Sequence, residues 1–434
     1  MWEKVAIIGG GESGVGAALL ASHLGKEVFL SDGGPIKEKY KQELLAHNIP
    51  FEEKGHTIER LKSSDVIIKS PGVPGTVPLI IDLKKLGIPV VSEIEYGYHY
   101  YDGKIIGITG SSGKTTTTGM LGHVLKEMEA DLEIGGNIGE SFCRIICDRQ
   151  PKWMVLELSS FQLDDIIDFR PDIAILLNIT PDHLDRYGYS LENYARAKFR
   201  LIENQQAGDV FIYNGDDTEI VTRLPDEDKE VTRISIRQQE YIDGVYSQEL
   251  TRNFDIRLIG RHNLFNACCV IKAIQTMGCT DVKLDLGLKT FRNLPHRLET
   301  IVTSDGVSWI NDSKATNVDA VFYALEAVVG PVIWIAGGVD KGNDYAFIEE
   351  VVHHKVRALI CLGIDNQKLI DYFSDQVTDV LETDQVDEAI KMASALAEPG
   401  GTVLLSPACA SFDLFKNYID RGDQFREAVT RLIG

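Results

Sequence analysis

The sequence predicts an α/β protein of three domains, and three observations support this fold class. Short apolar runs alternate with amphipathic, helix-compatible stretches along most of the chain. Two glycine-rich turns, Gly9–Gly14 and Gly110–Thr116, each follow an apolar run and precede a helical pattern. A further series of strand–helix units fills the last part of the chain. We expect Rossmann-like domains over 1–93 and 296–434, and between them a P-loop-type domain with added antiparallel strands over 94–295.

The composition is that of a soluble globular protein with many acidic residues. The 434 residues are 44% hydrophobic and carry a formal net charge of −21. This charge repels a phosphate backbone and disfavours general nucleic-acid binding. Apolar runs such as Val332–Ala336 are too short to cross a bilayer, and the N-terminal run ends in glycines instead of a cleavage site. The cysteines are scattered and lack zinc-ligand spacing, so we expect free thiols in a reducing cytoplasm. We also expect a monomer with no membrane partner.

The N-terminal domain begins with a dinucleotide-type βαβ unit. A strand at Lys4–Ile8 leads into Gly9-Gly10-Gly11-Glu12-Ser13-Gly14, which satisfies the pattern G-x-G-x-x-G. A helix over 15–24 and a strand at Glu27–Leu30 follow, and Asp32 comes after that strand. The pattern predicts a ligand that contains a diphosphate. NAD fits it, and so does another nucleotide, because the glycines admit any pyrophosphate.

A proline-containing turn marks a second strand end in this domain. The strand Asp65–Lys69 closes into Ser70-Pro71-Gly72-Val73-Pro74. Turns at the carboxyl ends of strands are where α/β folds bind ligands. A strand that begins at Val90 runs into Ser92-Glu93, and we place the first domain boundary there.

The second glycine-rich turn predicts a triphosphate site. A strand over 105–108 leads into Gly110-Ser111-Ser112-Gly113-Lys114-Thr115-Thr116 and then into a helix. Such a turn offers backbone N–H groups and the positive end of a helix dipole to phosphate. Lys114 is expected on the outer phosphates and the Thr115 hydroxyl on Mg²⁺. The usual pattern has another glycine where Ile108 stands, so the motif is incomplete.

Polar side chains follow the next strands of the central domain. The strand Trp153–Leu158 carries Glu157, and a carboxylate beside a phosphate loop commonly holds Mg²⁺. The strand Ile173–Leu177 leads into a turn in which Asp182 and His183 form a candidate metal or proton-handling group. A helix cap at Asp182 is the structural alternative.

Other polar residues of this domain have two interpretations each. Asn137 lies in a glycine-rich turn and either approaches a ligand or only connects elements. Lys198 lies in an amphipathic run and is either a site residue or a solvated lysine. Asn263 and Asn266, spaced i, i+3 at a helix start, either cap the helix or face a purine. Three short alternating runs predict the added antiparallel strands, at Arg233–Ile236, Gly244–Tyr246 and Phe254–Leu258.

The C-terminal domain follows a linker at Leu294–Glu299 and restarts the strand–helix alternation. Strands are expected at Val307–Ile310, Val332–Ala336, Ala358–Leu362 and Val403–Leu405. Polar clusters that follow strands predict ligand contacts, at Asn311–Asn317, Gly337–Gly342 and Ser406–Asp413.

Nine sequence blocks resemble, in this order, the Mur ligases of peptidoglycan synthesis. They are TGSSGKTTT, ELSSFQL, NITPDHLDRY, YARAK, GRHNLFNA, PHRLE, NDSKATN, GGVDKG and SPACASFDLFKNYIDRGDQF. The resemblance implies an ATP-dependent amide ligase that joins D-glutamate to UDP-N-acetylmuramoyl-L-alanine through an acyl phosphate. It also implies that the first domain binds the UDP-linked substrate, the central domain ATP, and the third domain D-glutamate and part of the ATP.

The resemblance further implies which residues bind ATP and metal. The implied ATP contacts are Gly110, Ser111, Ser112, Gly113, Lys114, Thr115, Thr116, Asn263, Asn266, Arg297, Asp312 and Lys314. Two Mg²⁺ ions would be held by Thr115, Glu157, His183 and Lys198, with Lys198 carbamylated. The implied catalytic residues are Lys114, Glu157, His183 and Lys198.

The substrate contacts are implied in the same way. They are Ser13, Gly14, Asp32, Ser70, Pro71, Gly72, Asn137 and His183, and for D-glutamate Thr316, Lys341, Ser411 and Tyr418. The family often has phenylalanine where this chain has Tyr418, which keeps the ring and adds a hydroxyl.

Three alternatives remain open at the level of sequence. An NAD-dependent oxidoreductase would explain the first glycine turn and Asp32, but it leaves the second turn and NDSKATN without a role. A nucleotide-sensing module without catalysis would not need Glu157, His183 and Lys198. Other Mur ligases and folylpolyglutamate synthase share the chemistry, and the C-terminal SPACASFD block argues against both.

Overall fold

A computed structural model describes residues 2–226, 230–237, 260–278, 282–293 and 295–433. Three β-sheets, one of five strands and two of six, carry this part of the chain. The strands, labelled β1 to β17 in chain order, are Lys4–Ile8, Glu27–Asp32, Phe51–Glu53, Val66–Lys69, Val90–Ser92, Lys104–Thr109, Leu132–Gly136, Trp153–Glu157, Ile173–Leu176, Val210–Asn214, Thr232–Ile236, Glu299–Ser304, Val307–Asn311, Val332–Gly337, Val356–Leu362, Asp379–Thr383 and Thr402–Ala408.

Helices lie between most of these strands. The α-helices of the described residues, labelled α1 to α17, are Glu12–His23, Glu38–Ala46, Ile58–Lys62, Pro78–Lys85, Glu93–Tyr98, Lys114–Glu127, Phe142–Asp148, Ser160–Leu163, Leu191–Phe199, Thr218–Val221, Arg261–Thr276, Val282–Thr290, Val318–Ala327, Glu349–Lys355, Gln367–Phe373, Val386–Leu396 and Tyr418–Ile433. Short 3₁₀ helices cover Leu184–Tyr187, Arg200–Ile202 and Tyr345–Ile348. This alternation confirms the predicted α/β class.

The first sheet has the order β3-β2-β1-β4-β5, and all its strand pairs are parallel. Alternate residues of β1 belong to two different apolar clusters. Val5 and Ile7 pack into one cluster, and Ala6 and Ile8 pack into the other. Both faces of this strand are therefore covered, which explains its continuous apolar run. The strand order reverses between β1 and β4, so the turns after these two strands meet at the point where such sheets bind ligands.

The central sheet has the order β11-β10-β9-β6-β8-β7 and is also parallel. Strand β6 lies between β8 and β9, with Ile108 opposite Glu157 and Thr109 opposite Leu176. The turns after β6, β8 and β9 therefore open at one edge. This edge is where the sequence places the phosphate loop and its acidic neighbours.

The prediction of antiparallel strands appended to this sheet is wrong for Arg233–Ile236. The strand there, Thr232–Ile236, pairs with β10 in parallel. Helix α10 lies between the two strands, and a helical crossover returns the chain to the same direction. Sequence alternation reports which face of a strand is covered, not the direction of its partner. The other two predicted strands, Gly244–Tyr246 and Phe254–Leu258, lie outside the described residues.

The third sheet has the order β12-β13-β17-β14-β15-β16 and is mixed. Only β12 among its described strands runs antiparallel to its neighbour, β13. The two strands are joined by Asp305-Gly306, whose φ values of 51° and 79° are those that a two-residue hairpin turn requires. Strand β12 is not among the strands predicted from the sequence, and the linker predicted at Leu294–Glu299 ends where this strand begins.

The chain divides into two compact units. The first unit, Met1–Asp255 with Phe265–Phe291, holds the first and central sheets, and the second, Ile256–Leu264 with Arg292–Gly434, holds the third. Within the first unit, one apolar core includes Ile7 of the first sheet and Leu156 of the central sheet. The domain boundaries at residues 93 and 295 remain predictions.

Glu93 is a fully buried carboxylic acid at the start of α5. One carboxylate oxygen accepts a hydrogen bond from the Cys143 backbone N–H, and the other has no hydrogen-bond partner among the described residues. Burial raises the pKa of Glu93 from its ordinary value of 4.5 to about 7. The folded state therefore holds this proton more tightly, so Glu93 contributes stability that is complete below pH 4.5 and is lost as the pH rises through 7.

The variant Glu93→Gln is expected to weaken this pH dependence. Between pH 5 and pH 8, its free energy of unfolding should fall by about 2 kcal/mol less than that of the wild type, because the amide does not titrate. Urea denaturation at the two pH values measures the difference. The control is Glu38→Gln at an exposed carboxylate, which should keep the wild-type slope. An unchanged slope in Glu93→Gln would contradict the assignment.

None of the helices among the described residues has the length and hydropathy needed to cross a bilayer.

Candidate functional site

The glycine-rich turn after β6 ends in a residue that must be glycine. Gly113 has φ of 82° and precedes the first residue of α6, Lys114. A Cβ at Gly113 would lie 3.0 Å from Asn266 Oδ1 and 3.3 Å from Leu177 Cδ1. The turn therefore brings its backbone and the N-terminus of α6 close to a buried amide, an arrangement suited to an anion.

The turn is held by the segment that follows β9. Ser111 Oγ donates to Thr180 O and accepts from Thr180 N, both at 2.9 Å. Asn178 Oδ1 accepts from Ser112 N at 2.8 Å, and Asn178 Nδ2 donates to Ser112 O at 3.1 Å. Asn178 and Thr180 are not among the site residues predicted from the sequence. Their place directly after a strand next to β6 is the signal that identifies them.

Two lysines converge on one backbone carbonyl of the turn. Lys114 Nζ donates to Gly110 O at 2.6 Å and to Ser111 O at 2.9 Å, and Lys198 Nζ donates to Gly110 O at 2.8 Å. Lys198 is only 1% exposed, so it is not the solvated lysine of the alternative interpretation. Burial, and then the charge of Lys114, hold the pKa of Lys198 well below its ordinary value, and the nearby Asp182 and Asp164 oppose the shift.

Glu157 offers a buried carboxylate oxygen at the same edge. The residue is 2% exposed, and its Oε1 accepts from Asn137 Nδ2 at 2.9 Å. Its Oε2 is buried and has no hydrogen-bond partner in the part of the chain that the structure describes. A buried carboxylate oxygen without a partner is unfavourable unless a cation completes it. The donor set around the turn therefore fits a divalent metal ion.

His183 is the most exposed member of this group. Its side chain is 54% exposed, its φ is 51°, and its ring lies 5.3 Å from that of Phe161. Its Nε2 lies 3.7 Å from Asp182 Oδ2. The imidazole is therefore accessible to a ligand at the edge of the central sheet.

The predicted contacts of the first domain meet at the carboxyl edge of the first sheet. Asp32 Oδ2 accepts from Gly10 N at 2.6 Å and Asp32 Oδ1 from Gly34 N at 2.7 Å, so this carboxylate shapes the glycine turn. Ser70 Oγ donates to Gly9 O at 3.1 Å, and a Cβ on Gly14 would lie 1.9 Å from the same oxygen. Of the remaining predicted residues of this edge, Pro71 and Gly72 lie in the turn after β4, and Ser13 lies in the first turn of α1.

The second unit contains a buried aspartate that no lysine or arginine contacts in the described ion pairs. Asp312 Oδ2 accepts from Ser406 Oγ at 3.0 Å, and Asp312 Oδ1 accepts from Leu298 N at 3.1 Å. Burial raises the pKa of Asp312 to about 7, while the charge of Arg297 opposes this shift. Lys314 Nζ lies 3.8 Å from the ring centroid of Tyr418, close enough for a cation–π interaction.

The turns after β14 and β17 lie side by side. Val339 N donates to Ala410 O at 2.8 Å, and Ala410 N donates to Val339 O at 3.1 Å. Lys341 is exposed and follows Val339 in its turn, and the buried Ser411 follows Ala410. Thr316 is half-buried in the turn after β13, a neighbour of β17.

Arg421 is a buried cation that is not among the site residues predicted from the sequence. It is 2% exposed and donates to Ser313, Gly337 and Cys409, which lie in or next to the turns after β13, β14 and β17. Burial lowers the pKa of Arg421 to about 10. Its acceptors are a hydroxyl and backbone carbonyls, so its full positive charge lies beneath these turns. The RGDQF block contains it, but sequence could not show which turns it joins.

Asn263 and Asn266 lie in the first turns of α11, and both are buried. Asn266 borders Gly113 at the phosphate-type turn. An amide in that place is compatible with contact to a ligand held by the turn.

Three protein-family models match the chain, one after another. The model of the "MurD N-terminal domain" matches residues 4–77, and that of the "Mur ligase middle domain" matches residues 108–274. The model of the "Mur ligase, glutamate ligase domain" matches residues 296–409. These spans contain most of the residues that form the three sheets.

Curated proteins are similar over the whole chain. The sequence is 46% identical to a protein of Christiangramia forsetii and 45% identical to one of Cytophaga hutchinsonii, with 100% of each chain covered. It is 46% identical to one of Porphyromonas gingivalis, over 99% of this chain and 98% of that one. Each of these relatives is named UDP-N-acetylmuramoylalanine--D-glutamate ligase.

Solved structures share the fold at lower identity. UDP-N-acetylmuramate-alanine ligase of Thermotoga maritima gives a TM-score of 0.60 at 19% identity, covering 100% of both chains. MurF ligase of Thermotoga maritima, solved in complex with ADP, gives 0.60 at 16% identity, covering 93% of this chain and 95% of that one.

Proposed function

The chain belongs to the Mur ligase family, and we propose that it uses ATP to join D-glutamate to UDP-N-acetylmuramoyl-L-alanine. Full-length relatives at 46% identity carry the name of this reaction. The observation that supports the chemistry best is the convergence of two lysines on Gly110 O. On the neighbouring strand, Glu157 has a buried oxygen without a hydrogen-bond partner among the described residues. The product is a precursor of peptidoglycan, and we place the reaction in the cytoplasm.

The reaction has two chemical steps. A carboxylate oxygen of the substrate's L-alanine attacks the γ-phosphorus of ATP, the bond to the β,γ-bridging oxygen breaks, and ADP leaves with an acyl phosphate formed. The D-glutamate amine then attacks the acyl carbon, loses a proton, and inorganic phosphate leaves with the pair of electrons from the C–O bond. Lys114 neutralises charge on the outer phosphates in the first step.

The buried donors around the turn suit Mg²⁺. We propose that Thr115 and Glu157 hold one ion, and that His183 and the carbamate of Lys198 hold a second. The ions neutralise phosphate charge and polarise the phosphoryl oxygens. Asn137, by donating to Glu157 Oε1, fixes the orientation of that carboxylate.

Carbamylation of Lys198 needs an unprotonated amine. The amine adds to CO₂, a proton leaves, and an N-carboxylate forms, so a cation becomes an anionic ligand. The lowered pKa of Lys198 supports this step, because it keeps the amine neutral at a lower pH than for a solvated lysine. The carbamate nitrogen would keep one hydrogen, which could replace the hydrogen bond that the amine donates to Gly110 O.

The remaining residues are assigned by substrate. The edge of the first sheet binds the UDP part through Ser13, Gly14, Asp32, Ser70, Pro71 and Gly72. Asn137 and His183 contact the same substrate from the central sheet. The nucleotide contacts are Gly110, Ser111, Ser112, Gly113, Thr116, Asn263, Asn266, Arg297, Asp312 and Lys314. D-Glutamate is held by Thr316, Lys341, Ser411 and Tyr418, with the charge of Arg421 beneath the turns favouring its carboxylates. We propose that the enzyme acts as a monomer without nucleic-acid or membrane partners.

The requirement for both substrates tests the proposal. Release of ADP and phosphate should need UDP-N-acetylmuramoyl-L-alanine and D-glutamate together, and either one alone should give only the background rate of ATP hydrolysis. A coupled assay for ADP measures this, with L-glutamate as the matched control. Turnover with L-lysine or meso-diaminopimelate in place of D-glutamate would overturn the substrate assignment. Tight NADH binding without ATP binding would favour an oxidoreductase instead.

A further inference from the structure

Lys69 is a buried lysine that has no role in the reaction described so far. It is the last residue of β4 and is 3% exposed. Its Nζ lies 3.1 Å from Asp165 Oδ2 and donates to Val73 O at 2.9 Å. One ammonium thus joins the strand end, the far side of the turn Ser70–Val73, and a carboxylate that follows α8.

Asp165 is held as firmly as its partner. Its side chain is 5% exposed, and its second oxygen accepts from Lys84 Nζ at 2.8 Å. Its backbone oxygen accepts from Ser92 N at 2.7 Å, at the end of β5. Asp165 thus takes hydrogen bonds from two elements of the first sheet's fold, although it lies in the loop between β8 and β9.

The two residues of this ion pair are attached to two different parts of the proposed site, the UDP-binding turn and the strand that carries Glu157. On one side, Ser70 Oγ donates to Gly9 O, so the turn that Lys69 closes is built against the first glycine turn. On the other side, Asp165 follows the short helix α8, which begins directly after the strand that ends in Glu157. The pair therefore connects the edge proposed for the UDP part with the strand proposed to hold the metal.

We propose that the Lys69–Asp165 ion pair is a positioning device that sets the place of the UDP-binding turn relative to the site of phosphoryl transfer. The inference rests on the proposed function. Lys69 is a positioning residue and not a catalytic one, because its ammonium is buried and directed to Asp165 and Val73 O. An ion pair between two buried groups resists displacement, since no water replaces the lost partner. A displacement of about 1 Å at a reacting group lowers a rate by roughly 100-fold.

The variant Lys69→Met tests the device because it keeps the length of the side chain and removes the charge. We expect the KM for UDP-N-acetylmuramoyl-L-alanine to rise by about 10-fold and kcat to fall by about 10-fold, while the KM for ATP changes less than about 2-fold. Lys69→Arg keeps the charge and should recover part of both values. The matched control is Lys85→Met, at a lysine of α4 that is 71% exposed and pairs only with Asp82 in the described structure. It should behave like the wild type.

A second variant keeps the test valid if Lys69→Met, which leaves Asp165 paired only with Lys84 among the described residues, prevents folding. Lys69→Met with Asp165→Asn removes both charges, and it should fold while keeping the raised KM for the UDP-linked substrate. Wild-type values of KM and kcat in a folded variant, with only a lower melting temperature, would overturn the inference and leave a purely structural ion pair. If the wild type itself does not bind UDP-N-acetylmuramoyl-L-alanine in calorimetry, the proposed function fails instead, so the two failures are distinguishable.

Discussion

The variant Lys198→Ala is expected to lower the rate of ligation by about three orders of magnitude. Lys198 is buried beside the phosphate-type turn and donates to Gly110 O at 2.8 Å, so its loss removes both a support of the turn and the proposed carbamate. In the proposed site, a methyl group would replace an anionic ligand, and a metal ion that neutralises the developing phosphoryl charge would be lost. Steady-state kinetics of ADP release with both substrates measures the loss.

The carbamate itself has a separate test. Short carboxylic acids such as formate or acetate should restore part of the activity of Lys198→Ala, because they supply the missing carboxylate to the cavity. With ¹³C-labelled bicarbonate, the wild type should show a carbamate carbon signal in NMR that Lys198→Ala lacks. The control is Arg196→Ala, which removes an exposed cation from the same helix and should keep full activity. No signal in the wild type and no response to carboxylic acids would show that Lys198 acts as a free amine.

Replacing Lys114 with methionine should lower kcat by about 1000-fold and weaken ATP binding. The Lys114 ammonium donates hydrogen bonds to Gly110 O and Ser111 O of the turn. A phosphate oxygen is a stronger acceptor than either carbonyl because it is charged, so bound ATP should attract the ammonium away from them. Without the ammonium, the negative charge that develops on the transferred phosphoryl group is neutralised less completely, and the transition state is less stable. Binding of UDP-N-acetylmuramoyl-L-alanine, measured by calorimetry, should be unaffected.

Two further variants make this prediction specific. Lys126→Met removes an exposed lysine from the same helix and should match the wild type. Lys114→Arg keeps the charge, but its planar fork does not reproduce a compact ammonium, so we expect it to remain at least about 10-fold impaired. Near-normal kcat in Lys114→Met would contradict the role in phosphoryl transfer.

Much of the molecule is predictable from local sequence. Periods of apolar residues place most strands within a few residues of their observed ends, as at Lys4–Ile8 and Val332–Gly337. The glycine at position 113 predicts a left-handed backbone in the turn before α6, and its φ of 82° agrees. The nine ordered blocks by themselves indicate the Mur ligase family, and the full-length relatives confirm it.

Other features depended on partners that are distant in sequence. The direction of β11 is one of them, because it follows from the crossover through α10 and not from the alternation of its side chains. The burial of Lys198 is another, since a helical lysine is ordinarily solvated and only its contact with Gly110 O shows otherwise. The joining of three turns by Arg421 is a third.

Fold class, the two glycine turns and the family could thus be established from residue order, because each rests on short-range spacing that the chain carries wherever it folds. Three other features could not be established in this way. They are the ion pair of Lys69 with Asp165, the Glu157 oxygen that has no hydrogen-bond partner among the described residues, and the support of the phosphate-type turn by Asn178. These depend on which strand ends become neighbours at the edge of a sheet. Strand order brings together residues far apart in the chain, and burial then decides which of their charges must find a partner.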